Sequence, residues 1–112
     1  MSDGIITTTN NAELGEFALS GLYGVDDPEV GLNVVDLGLI YHLDFDEVKK
    51  KLYCKMTLTT QFCPMGDTIT GDVTNVLKEA FPDWTVLIDL TFDPAWDQSM
   101  ISPEGRDFLG QY

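Results

Sequence analysis

The chain has 112 residues, 44% of them hydrophobic, with 19 acidic and 6 basic side chains and a formal net charge of −13. That length suits one domain with a real core, and the apolar content is too high for a disordered acidic tail. The charge disfavours nucleic acid and anionic membrane surfaces, and no apolar run nears the ~20 residues of a transmembrane helix.

A basic protein partner is compatible with such a charge. The start Met1-Ser2-Asp3-Gly4 lacks the basic and apolar pattern of a secretory signal, so the expected compartment is the cytoplasm, where thiols stay reduced. Residues 1–11 read as a flexible N-terminus and 12–112 as one domain. Asn10 and Glu13 have the spacing of a capping box. Leu14, Phe17, Ala18, Gly21 and Leu22 then share a helical face. Asp26 to Gly31 reads as a loop, broken by Pro28 and Gly31.

From Val35 the period becomes two. Val35, Leu37, Leu39, Tyr41, Leu43 and Phe45 fall on one strand face. A second strand follows, with Leu52, Cys54, Met56 and Leu58 facing the core. The two form a predicted hairpin. A helix opened by Cys63-Pro64 carries Met65, Ile69, Val73, Val76, Leu77, Ala80 and Phe81 on one side. A strand over Thr85 to Phe92 turns Val86, Ile88, Leu90 and Phe92 inward. The strand–helix–strand order predicts a parallel, right-handed crossover. Ser102-Pro103-Glu104 caps a last short helix. The expected fold is a two-layer α/β (α+β) domain, with a small three-stranded mixed sheet and helices packed on one face.

The sequence has two cysteines and one histidine, His42. Cys54 reads as packing. Cys63 reads as a helix N-cap, where unpaired amides and the helix dipole stabilise a thiolate. The dipole is worth roughly 0.3–1 kcal/mol, and a pKa unit is about 1.4 kcal/mol, so the activation is modest. Such a thiol suits a soft-metal or sulfur ligand, whose metal displaces the proton, better than a covalent nucleophile. Asp36, Thr57, Thr59, Thr60 and Asp67 are candidate pocket residues around it. A four-thiolate cluster within one chain is excluded by counting.

Asp27 to Tyr41, with its Asp-Pro-Glu opening and Val35-Asp36-Leu37-Gly38-Leu39-Ile40 core, resembles the signature of the SufT/PaaD-like family of metal–sulfur cluster biosynthesis. That group lies within the iron–sulfur cluster assembly domain superfamily. Met56-Thr57-Leu58-Thr59-Thr60 with Cys63-Pro64-Met65 is similar to its second motif. Trp96 with Met100-Ile101-Ser102, Arg106, Leu109 and Gly110 is similar to its third. Gln61-Phe62 departs from the Pro-Gly that relatives more often have there.

The resemblance implies an accessory or carrier factor in iron–sulfur cluster assembly or delivery, with Cys63 as the functional thiol. It implies assembly machinery or client apo-proteins as partners. No stably bound cofactor is expected. An iron–sulfur cluster would be held only transiently, shared in a homodimer or completed by outside donors. Phe62 and Trp96 are candidate partner-binding residues. One alternative is a non-catalytic adaptor, for example of a ring-oxidising enzyme complex. Another is a thiol-dependent enzyme, for which no clear base adjoins Cys63.

Overall fold

A computed structural model describes residues 7–59, 66–93 and 95–109. In chain order the elements are β1 (Thr8–Thr9), α1 (Ala12–Leu22), β2 (Asp26–Asp27), β3 (Leu32–Asn33), β4 (Ile40–Asp46), β5 (Lys51–Met56), α2 (Gly66–Ala80), β6 (Thr85–Leu90), a 3₁₀ turn (Gln98–Met100) and α3 (Pro103–Leu109). The main sheet has the order β1-β4-β5-β6, and β2 and β3 form a separate two-stranded ribbon. β4 and β5 are antiparallel and β5 and β6 parallel, as the hairpin and crossover patterns predict. The architecture is therefore the expected mixed α/β fold, with four strands in place of three.

The added strand comes from the segment expected to be a flexible N-terminus. Thr8 and Thr9 pair parallel with His42 and Leu43. Asn10 extends the pairing through its side chain, donating to the Phe45 carbonyl (3.0 Å) and accepting from the Phe45 amide (2.9 Å). It is thereby withdrawn from the predicted cap. Asn11 caps α1 instead, accepting from the Leu14 amide at 3.1 Å.

The strand predicted from Val35 begins at Ile40. Residues 34–38 form a turn, because the Asn33 side chain accepts from the Asp36 amide at 2.8 Å and Gly38 takes a φ of +79°. An Asx-type turn and a left-handed glycine both compete with extension. Of the loop expected over Asp26 to Gly31, Asp26 and Asp27 instead form β2, and residues 28–31 close the β2–β3 ribbon, with the Gly31 amide donating to the Asp27 carbonyl at 2.7 Å.

The core lies between one face of the sheet and the helices. Leu39, Leu43, Leu52, Cys54 and Met56 meet Ala18, Leu22, Ile69, Val73 and Leu77, all fully buried. Gly15 rather than Phe17 completes the buried face of α1, while Phe17 is about half exposed and packs edge-to-face on Phe81. Gly21 lets α1 approach α2, since a Cβ there would stand 2.9 Å from Val76. Among the described residues, no helix is long and apolar enough to cross a membrane.

Candidate functional site

The described parts of the three sequence motifs meet at the end of the sheet where β4 begins and β5 ends. The turn 34–38 provides one side. The Asp36 carboxylate accepts from the Ser102 hydroxyl at 2.7 Å through Oδ1 and from the Asn33 amide group at 2.7 Å through Oδ2. The Asp36 carbonyl accepts the Ser102 amide at 2.7 Å. Ser102 also caps α3, accepting from the Gly105 amide at 3.0 Å. Asp36 thus fastens the start of α3 to the turn.

Trp96 makes a second fastening: its indole N–H donates to the Leu37 carbonyl at 2.6 Å, with the ring half-buried against the core. A third contact joins the Tyr41 hydroxyl to the Met100 sulfur at 3.6 Å. Between Trp96 and Met100, Asp97 accepts from the hydroxyl and amide of Ser99, and these bonds hold its carboxyl below its usual pKa. Burial raises the Tyr41 phenol pKa, a hydrogen bond with Thr57 offsets part of this, and Asp97 adds to the rise.

Thr57 is fully buried, and its amide donates to the Leu39 carbonyl at 2.9 Å. It therefore belongs to the interior wall of the cluster. Thr59 is half-buried, and Asp67 stands exposed in the first turn of α2. They flank the segment 60–65, and Thr60, Phe62 and Cys63 lie outside the described residues. The chain on either side of that segment is held together: a Cβ on Gly66 would lie 2.9 Å from Leu58.

Cys54 is buried in the core, and burial alone pushes its thiol up to about 12. His42 projects from the other face of β4, with Nδ1 2.6 Å from the Thr8 hydroxyl. On that open face His42, Asp44, Tyr53, Lys55 and Asp89 line a shallow depression. Among the described residues no group of three or more His, Cys, Asp or Glu side chains is placed to hold a metal ion.

Asn33, Tyr41, Met100 and Ser102 were not singled out as site residues by sequence. The Asn33-x-x-Asp36 spacing is a readable turn signal. The pairing of Ser102 with Asp36 spans 66 positions and has no local signal.

The fold and the three fastened segments define a small two-layer α/β domain built around one end of its sheet. The chain belongs to the iron–sulfur cluster assembly protein family, whose model matches residues 18–88. It is 42% identical over 86 residues to an Fe-S protein maturation auxiliary factor of Porphyromonas gingivalis, covering 77% of this chain and 81% of that one. It is 35% identical over 86 residues to the Fe-S protein maturation auxiliary factor SufT of Staphylococcus aureus, covering 77% and 97%. The fold resembles the crystal structure of a domain of unknown function, DUF59, from Bacillus anthracis. The TM-score is 0.79 at 31% identity, over 89% of this chain and 98% of that one.

Proposed function

We propose that this protein is a non-enzymatic accessory factor in iron–sulfur protein maturation, and that Cys63 transiently binds the cluster, or its iron or sulfur, on the way to a client apo-protein. The names of the two bacterial relatives support the general role. The observation that carries the finer reading is the convergence of the three motifs. Trp96, Met100 and Ser102 are fastened to Leu37, Tyr41 and Asp36, and Leu58 and Gly66, described residues on either side of the segment that bears Cys63, lie against each other.

The cargo is substrate here. A thiolate is a soft donor matched to iron–sulfur chemistry, and a metal displaces the thiol proton on binding. Asp36 is a hard donor with both oxygens already engaged by Ser102 and Asn33. Outside thiols, from a client or a donor protein, would complete the shell and make the cargo easy to release. An enzymatic reading needs a base, and His42 projects from the sheet face opposite Tyr41.

Anaerobic reconstitution with ferrous iron and sulfide tests the proposal, read by ultraviolet–visible absorption and by transfer to an apo-ferredoxin. Wild type should form a labile chromophore that transfers, and Cys63→Ser should not. Equal transfer by Cys63→Ser would favour an adaptor role. A chelator-resistant cluster on a monomer would contradict the ligand count.

A further inference from the structure

β6 is a six-residue strand at the border of the main sheet, and among the described residues nothing pairs with its outer side. The Thr85 amide donates to the Lys50 carbonyl and the Thr91 amide to the Met56 carbonyl, both at 2.8 Å. By strand alternation the N–H and C=O groups of Val86, Ile88 and Leu90 therefore point away from β5. Strand borders are commonly guarded by lysine, proline, a bulge or short length. β6 has no lysine or proline, and its register with β5 is unbroken from Thr85 to Leu90.

Among the described residues, cover over the helix face of β6 also falls off along the strand. Val86 is buried, Ile88 is half-buried, and Leu90 on the same face is 43% exposed. On the open face Leu87 is 40% exposed, and Asp89 stands beside Lys55 in register.

We propose that this border is a homodimerisation surface on which two copies pair their β6 strands antiparallel about Ile88. In that register Val86 meets Leu90 of the second copy, and Ile88 meets its own mate. All the outward backbone groups of the strand are used, in about six hydrogen bonds. The two-fold axis is perpendicular to the sheet, so both helix layers lie on one side and the half-covered Ile88 and Leu90 cover each other.

Other registers are worse. A slide that changes the sum of paired residue numbers by one places helix-face residues opposite open-face residues. Raising that sum by two sets Asp89 against Asp89, and lowering it by two leaves Leu90 without a strand partner. A two-strand seam is small against the ~1,600 Å² of a standard interface, so association is weak and reversible. The charge of −13 per chain opposes it and makes it stronger in salt.

Sedimentation of the full chain under reducing conditions tests this, from about 5 μM to about 500 μM protein, a range suited to weak association. A monomer–dimer transition is expected, with its midpoint falling as salt rises from about 50 mM to about 500 mM. Leu90→Pro removes an outward N–H without touching the β5 ladder and should raise the midpoint roughly tenfold or more. Phe108→Ala, on an exposed aromatic of α3, should leave it unchanged.

Leu87→Cys/Asp89→Cys in a Cys63→Ser background should give a disulfide-linked dimer under oxidised glutathione, because residues 87 and 89 face each other across the axis. A chain that stays monomeric throughout would overturn the proposal. So would a folded Leu90→Pro protein that dimerises like wild type, or a dimer that the paired cysteines do not link.

Discussion

Asp36 shows how a single side chain can join distant parts of this chain. Its two carboxylate oxygens accept from Asn33, three residues back, and Ser102, 66 residues on. Hydrogen bonds to a charged group contribute about 1.5–3 kcal/mol, so Asp36→Ala should cost on that order. Ser102→Ala removes the same bond from the other side. A double-mutant cycle by urea unfolding should give a coupling of about 0.5–3 kcal/mol, and strictly additive losses would mean the contact contributes little.

Cys54 gives a second residue-level expectation. Burial raises its folded pKa from the ordinary value near 9 to about 12, so the folded state favours the neutral thiol. That contribution is intact below pH 9. Above it the unfolded chain ionises first and binds fewer protons, so stability falls as pH rises toward 12, by up to about 4 kcal/mol. Cys54→Ala should flatten the loss of urea midpoint between about pH 9 and pH 11 relative to wild type. A parallel decline in both proteins would assign the slope to other groups.

Among the elements, α2 depends most plainly on its buried stripe. Ile69, Val73 and Leu77 recur at helical spacing, and each is fully buried against the sheet. Ile69→Ala should cost about 2–5 kcal/mol through lost burial and the cavity left behind. Thermal unfolding would check this, and a loss below 1 kcal/mol would show that α2 is only loosely seated. β6 differs because its helix-face residues lose cover along the strand, from buried Val86 to Leu90 at 43% exposed. Alternation in a sequence identifies the inward face of a strand, but not how far the opposite layer extends over it.

For the molecule as a whole, 19 acidic against 6 basic residues produce self-repulsion in the compact state. Four of the basic residues, Lys49, Lys50, Lys51 and Lys55, fall within seven positions around the β4–β5 hairpin, leaving Lys78 and Arg106 for the rest. Carboxylates are correspondingly crowded elsewhere. Raising sodium chloride from about 20 mM to about 500 mM should increase the thermal midpoint by several degrees, by screening. A midpoint that falls with salt would show that attractive pairs outweigh the repulsion.

The sequence by itself determined the helices, the hairpin, the parallel crossover and the burial of Cys54, because each follows from local periodicity or a short connection. It also carried the resemblance that pointed to the family, whose model matches residues 18–88. Tertiary structure decided what periodicity could not express. Thr8, Thr9 and Asn10 became a sheet border because β4 offers them backbone partners more than thirty positions away. The run from Val35 turned instead of extending because Asn33 and Gly38 stabilise a turn there. The fastening of Asp36 to Ser102 and of Leu37 to Trp96 arises only when the sheet brings those segments together. Local chemistry selects elements, whereas hydrogen bonds between residues far apart in sequence form only after packing has fixed which segments are neighbours.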